Sequence, residues 1–365
     1  MERGGRNVAS FCLERAEEMM CLRLIEPLGL VYGSIAQKAI RQGDALPLCG
    51  GPVAFTFARL IEGYQTVGLM SAHKVPQDWA SELKRITHSV PAVVLPEGPQ
   101  VMGILNITPD SFSDGGQFGD IDQTILKARE MLRSGATVLD IGGESTRPGA
   151  AIVTPEEEWK RIGPVLAALQ TELPDVAVSV DTRKSYVMKC ALKAGARIIN
   201  DVTALAHDEA ALSFLATQDC GVVLMHMRGT PQTMAQHAVY EDVSVDVVRE
   251  LAQRIEVAEK GGIARHRIMV DPGFGFAKTF EQNKDLLRHI LLLANLGCRI
   301  VFGVSRKRMI GTLTGEEIPH LRDAGTQAAS FPAMALGHPI LRVHDVKGMM
   351  QAVNVWREIY LNGKN

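Results

Sequence analysis

The chain has 365 residues, 46% hydrophobic and 22% charged, with a formal net charge of -2. This is too long for one small domain and apolar enough for a sizeable core, so one large domain with a smaller one beside it is expected. The balanced charge leaves no footprint for nucleic acid or an anionic membrane, and no apolar run approaches the roughly 20 residues that span a bilayer, so small molecules are the expected partners.

The amino terminus, MERGGRNVASFCLERAEEMM, carries acidic residues where a secretory signal needs an unbroken apolar core, which suits a cytoplasmic protein. Cys12, Cys21, Cys49, Cys190, Cys220 and Cys298 stand singly, without a CxxC pair or a close histidine, so neither zinc nor a disulfide framework is expected. Residues 1–95 read as a small appended α/β unit. Within it Pro52–Glu62 and Pro76–His88 are expected as helices, each opening on proline, and in the second Trp79, Leu83 and Ile86 share a face. None of its glycines and prolines has the spacing of a ligand cradle. Pro91–Gln100 is expected to link this unit to the rest, giving an extension over 1–95 and a catalytic domain over 96–365.

From Val101 onward a strand pattern alternates with a helix pattern eight times. The strand cores are Val101–Asn106, Thr137–Ile141, Val176–Asp181, Arg197–Asp201, Gly221–His226, Arg267–Asp271, Arg299–Ser305 and Ile340–Val343. Amphipathic stretches such as Gln123–Arg133, Pro155–Gln170 and Val243–Lys260 lie between them, and Lys347–Tyr360 closes the series. Strands this rich in Val and Ile suit a sheet covered on both faces, and eight repeats predict a (β/α)8 barrel of the TIM type. A doubly wound open sheet is the competitor, but no GxGxxG follows the first strand and no GxxxxGK[ST] occurs.

The polar residues fall at the carboxyl ends of these strands, where a barrel of this kind carries its active site. They are Asn106; Glu144, Thr146 and Arg147; Asp181; Asn200 and Asp201; Met225 and His226; Asp271; Ser305, Arg306 and Lys307; and Arg342, His344 and Asp345. Helix capping by a buried acid is expected to account for several of them, with Asp201, Glu144 and Asp345 the leading candidates for that structural role. Asp181, Asn200 and Asp271 match the amino and ring N–H groups of a polar heterocycle. Arg147, Arg342 and His344 suit a phosphorylated group, and Asn106 offers a hard oxygen to a magnesium ion that keeps several waters. Residue chemistry alone reaches an enzyme acting on a polar ring that bears an anionic group.

The motifs NITPDSFSDGG (106–116), GGESTRPG (142–149), VDTRK (180–184), IIND (198–201), MHMRGTP (225–231), DPGFGF (271–276), GVSRK (303–307) and RVHD (342–345), in this order, resemble the dihydropteroate synthase family. The resemblance covers 101–365 and leaves the extension outside. Ala277 departs from it, standing where the family often has glycine. It implies condensation of 7,8-dihydropterin-6-ylmethyl diphosphate with p-aminobenzoate to give 7,8-dihydropteroate and diphosphate, with Mg2+ as cofactor, a homodimer as the assembly and sulfonamides as inhibitors. It also implies roles. Asp181, Asn200, Asp271 and Lys307 would bind the pterin ring between Met225 and Arg342. Asn106 would assist magnesium, while Arg147 and His344 would hold the diphosphate. Thr146, Pro148, Phe276 and Ser305 would form the p-aminobenzoate pocket, and Phe112 and Asp114 would belong to a lid. The alternatives are a pterin-dependent methyltransferase of the same barrel group, which has no use for the SRK and RVHD sites, and a catalytically silent pterin-binding paralogue.

Overall fold

The computed structural model describes residues 22–107, 117–146 and 151–362. A small antiparallel sheet comes first, built from β1 (Arg23–Val31), β2 (Leu46–Pro47), β3 (Ala54–Glu62) and β4 (Gln65–Ser71). Helices α1 (Gly33–Gln42) and α2 (Ala80–Thr87) accompany it. The stretch expected as a helix over Pro52–Glu62 is therefore mostly strand. Phe55, Thr56 and Phe57 favour an extended chain, and β3 pairs antiparallel with β1, Leu28 opposite Phe57, and with β4, so neighbouring strands satisfy its backbone. Pro52 belongs to the turn before the strand. The second expected helix is present, as a short 3-10 turn over Gln77–Trp79 running into α2.

Eight parallel strands then close into a barrel: β5 (Gln100–Asn106), β6 (Val138–Gly142), β7 (Ala177–Asp181), β8 (Ile198–Asp201), β9 (Gly221–Met225), β10 (Ile268–Asp271), β11 (Arg299–Phe302) and β12 (Ile340–Val343). The order follows the sequence, and β12 closes on β5 with Ile340 opposite Gln100. Around it run α3 (Gln117–Arg133), α4 (Pro155–Glu172), α5 (Ser185–Lys193), α6 (Glu209–Ala216), α7 (Val243–Lys260), α8 (Phe280–Arg288), α9 (Arg308–Thr314), α10 (Asp323–Ser330) and α11 (Val346–Trp356). This is the (β/α)8 barrel that the alternation predicts, and the open sheet is excluded. Several helices start where the sequence caps them. Thr154 accepts from Glu157 N–H ahead of Pro155, Thr279 and Gln282 form a reciprocal capping box, and Asp345 accepts from Gly348 N–H.

The amino-terminal end of the barrel is filled. Met102, Val138, Ala177, Ile198, Val223, Met269, Val301 and Ile340, one from each strand, form a buried layer into which Val93 and Leu95 pack. Arg299, fully buried, donates to the carbonyls of Ala92, Pro96 (3.0 Å) and Gly98 (3.3 Å). The segment read as a linker thus also plugs the barrel floor. With that end closed, the carboxyl ends of the strands are the open rim.

Candidate active site

Strand register brings the rim residues side by side. Asn106 pairs with Gly142, Gly142 with Asp181, Asp181 with Asn200, and Met225 with Asp271. From β12, Arg342 donates through Nε to Asp140 Oδ2 at 2.7 Å and through Nη2 to Asp181 Oδ2 at 3.0 Å. The Asn200 amide reaches Asp140 Oδ2 at 3.4 Å. Asp140 is 1% exposed, and neither its Oδ1 nor the Ser179 hydroxyl in the opposite register position has a partner among the described residues. Buried acceptors are rarely left so, and this pair suits a ligand that brings donors.

Burial pushes Asp181 up to about 7 against the pull of Arg342, and Asp140 beside it adds to the rise. Asp271 is raised by the same desolvation, opposed by Lys307 and by the Gly273 N–H that donates to its Oδ1 at 2.7 Å. Desolvation lowers Lys307 to about 8 although Asp271 favours its charge. The Lys307 ammonium donates to the Phe274 carbonyl and lies 4.6 Å from the centroid of the Phe276 ring, so it joins the acidic cluster to an aromatic wall. Ser305 Oγ is 2.9 Å from His344 Nδ1 and accepts from the His344 backbone N–H at 3.1 Å. Burial, followed by Arg306 and Arg342, drives the His344 imidazole down to about 3. It is neutral at ordinary pH, and where the Ser305 hydroxyl donates to Nδ1 the ring proton sits on Nε2 and makes it a donor.

The loop after β10 depends on glycine. Gly273 has φ +67°, and a Cβ there would stand 1.9 Å from the His226 carbonyl oxygen. Ala277, where the motif family often has glycine, holds φ 48°, a conformation costly for a side chain.

The structure therefore brings together Asp181, Asn200, Asp271, Lys307, Phe276 and Arg342, and separately pairs Ser305 with His344. Met225 is buried at the tip of β9, and Thr146 is half-buried beyond β6. Arg147, Pro148, Phe112 and Asp114 lie outside the described residues. Three residues expected to be structural do structural work. Asp201 accepts from the Thr203 and Leu205 backbones, Glu144 holds Arg183 and Val153 N–H, and Asp345 caps α11. Sequence reasoning missed Asp140, whose signal was a lone charge inside the apolar run VLDIG. It also missed Lys278, which has no comparable signal. Lys278 donates to His226 Nδ1 at 2.9 Å and to the Gly273 and Phe276 carbonyls at 3.0 Å each, and burial followed by Lys307 lowers it to about 7.

Magnesium is implied by the family pattern. Among the described residues no three His, Cys, Asp or Glu side chains gather to hold a metal. Asn106, exposed at the tip of β5, offers an amide oxygen, which fits an ion that keeps its waters and takes further oxygens from a phosphorylated ligand.

A plugged barrel whose open rim gathers acids, an amide, a lysine and an arginine has the form of a ring-binding TIM-barrel enzyme. The pterin binding enzyme family matches residues 102–344. A dihydropteroate synthase from Neisseria meningitidis serogroup C is 48% identical over 268 residues, covering 72% of this chain and 94% of that protein. One from Escherichia coli K12 is 43% identical over 257 residues, 70% of this chain and 90% of that protein. Among solved structures, Xanthomonas albilineans dihydropteroate synthase with 4-aminobenzoic acid matches at TM-score 0.67 and 45% identity, covering 72% of this chain and 93% of that one. The same enzyme in complex with 7,8-dihydropteroate matches at TM-score 0.65 and 44% identity, with 72% and 94% covered. The chain is thus a pterin-binding barrel enzyme. Within that family it belongs to the dihydropteroate synthases.

Proposed function

We propose that the rim of this barrel condenses 7,8-dihydropterin-6-ylmethyl diphosphate with p-aminobenzoate, giving 7,8-dihydropteroate and diphosphate, and that the residues act as follows. The observation that carries the reading is the interior group in which Arg342 lies between Asp140 and Asp181, with the Asp140 Oδ1 acceptor unpartnered among the described residues. Asp181, Asn200 and Asp271 accept from and donate to the pterin edge, Lys307 donates to the ring, and Met225 and Arg342 lie against its faces. Arg147 and the Nε2–H of His344 hold the diphosphate. Thr146, Pro148, Phe276 and Ser305 receive p-aminobenzoate, while Phe112 and Asp114 close over the site.

The bond between the pterin methylene and the diphosphate oxygen breaks first, its electron pair leaving with diphosphate. The electron-rich dihydropterin spreads the positive charge left on the methylene, and the Asp181 and Asp271 carboxylates favour that charge in a site of low polarity. The aryl amine then supplies the pair for the new C–N bond and gives up a proton to the departing diphosphate or to water. Magnesium, held with the help of Asn106, would neutralise charge on the diphosphate. A homodimer, a cytoplasmic location and sulfonamide binding in the p-aminobenzoate pocket complete the proposal. No described helix is long and apolar enough to cross a membrane. We assign the catalytic domain to 96–365 and an extension to 1–95.

The test is a product assay on the full chain. With both substrates and magnesium, dihydropteroate and diphosphate should form in equal amounts, and release should stop without p-aminobenzoate or with excess chelator. Methyl transfer from a methylated folate, or pterin binding without any release, would replace this reading by one of the alternatives.

A further inference from the structure

The N-terminal unit meets the barrel at several places, and two of them differ in kind. One is a packed contact, where β1 lies on the 3-10 helix Ile290–Leu296. There Asn295 accepts from Ile25 N–H at 3.0 Å and donates to the Ile25 carbonyl at 2.8 Å. The other is the tip of the β3–β4 hairpin, which reaches the first turn of α7. Because α7 follows β9, that turn stands at the rim end of the barrel, and Tyr64 and Met225 line one cavity of about 530 Å³ there.

Tyr64 is bonded on both sides. Its hydroxyl donates to Asp246 Oδ1 at 2.6 Å and accepts from Arg249 Nη1 at 2.6 Å, with the Arg249 guanidinium 4.6 Å from the ring centroid. Arg249 is buried, and its Nε and Nη2 have no partner among the described residues, so Tyr64 and Asp246 hold its charge in place. From Asp246 the contacts continue inward. Arg228 Nη2 is 3.5 Å from Asp246 Oδ2, and Arg228 Nε donates to Glu250 at 2.9 Å. Glu250 accepts from His226 Nε2 at 3.0 Å, and His226 Nδ1 accepts from Lys278 at 2.9 Å. Lys278 donates to the carbonyls of Gly273 and Phe276, and Gly273 N–H donates to Asp271. A continuous series of charge-assisted contacts thus runs from the appended unit to an acid of the pterin group and the backbone of an aromatic of the adjoining pocket.

We infer that Tyr64 is a positioning residue for the condensation: through Asp246 and the Arg228–Glu250–His226–Lys278 series, the N-terminal unit sets the arrangement of the β10 loop that carries Asp271 and Phe276. This rests on the roles of those two residues proposed above. A ligand that needs one loop arrangement binds in proportion to the population of that arrangement, so a loosened loop raises the apparent dissociation constant of both substrates together.

Tyr64→Phe removes the hydroxyl and keeps the ring. In the full chain it should raise KM for both substrates by about three- to tenfold, the scale of one such hydrogen bond, with kcat near the wild-type value. The same change made in an Asp246→Asn chain should add little, because the route already lacks its next member. Gln65→Ala, an exposed change on the same hairpin, should leave both KM values alone. Hydrogen exchange reads the link without substrate: amides 273–278 should exchange faster in Tyr64→Phe, and those of β6, across the barrel, should not. Wild-type KM values with unchanged exchange, or a fall in kcat with KM unmoved, would overturn the inference and leave Tyr64 a packing residue. A wild-type chain that makes no dihydropteroate would instead overturn the proposed reaction, and the exchange comparison would still decide the coupling.

Discussion

Asp181 is the residue at which charge and ligand chemistry are most tightly linked. A ring N–H or amino group donates to a carboxylate, so pterin binding selects the ionised form, yet burial holds this acid up at about 7. Below that pH the protein must lose a proton in order to bind, so affinity should fall by up to about tenfold per pH unit as pH drops and level off above about 7. For the free protein the sign is opposite. The folded state holds this proton more tightly than the unfolded chain, so the contribution of Asp181 to stability declines as pH rises from the ordinary carboxylate range through about 7. Asp181→Asn should flatten the pH dependence of binding and weaken it by about 1–3 kcal/mol, the cost of a mismatched buried partner. Titration calorimetry on either side of that pH checks both, and a wild-type affinity that does not change with pH would show that Asp181 is ionised throughout.

At the scale of the elements, the loop after β10 illustrates what a sequence discloses. DPGFGF announced a turn and an acid, because glycine and proline punctuate the chain wherever they stand. It could not announce that Gly273 lies against the His226 carbonyl, since that contact joins two strands 47 residues apart by numbering. Gly273→Ala should therefore separate the tips of β9 and β10, costing more than about 2 kcal/mol through steric overlap and a left-handed backbone. Thermal unfolding measures this, and a wild-type midpoint would mean that the loop absorbs the methyl group freely. Barrel strands were legible because each is a short apolar run buried on both faces. β3 was not, because PVAFTFARLIE is equally a proline-initiated helix or an alternating strand until β1 and β4 are beside it. Polar residues at strand ends were legible by position. Asp140 was hidden by lying within a strand, and Lys278 by acting only through tertiary contacts.

For the whole molecule, the two parts of the chain are joined more closely than a linker implies. Val93 and Leu95 belong to the layer that closes the barrel floor, and the Ala92 carbonyl receives buried Arg299. A chain beginning at residue 96 gives up all three, whereas one beginning at 89 keeps them. Burial of the two side chains is worth about 3–6 kcal/mol as an upper figure. The chain from 89 should therefore unfold at the higher temperature, and equal midpoints would show that the plug adds nothing to the barrel.

Whether the polar residues at the strand ends carry out the condensation is tested at Lys307 with least disturbance to the fold. Its charge is held in a desolvated place, it donates to one backbone carbonyl, and it stands between the acidic group and the Phe276 ring. The decisive measurement is p-aminobenzoate-dependent diphosphate release by Lys307→Ala at saturating substrates, beside its thermal midpoint. The expected result is a rate lower by about 100-fold or more, the scale for loss of one preorganised donor, with the midpoint near wild type. Wild-type turnover in Lys307→Ala would contradict it.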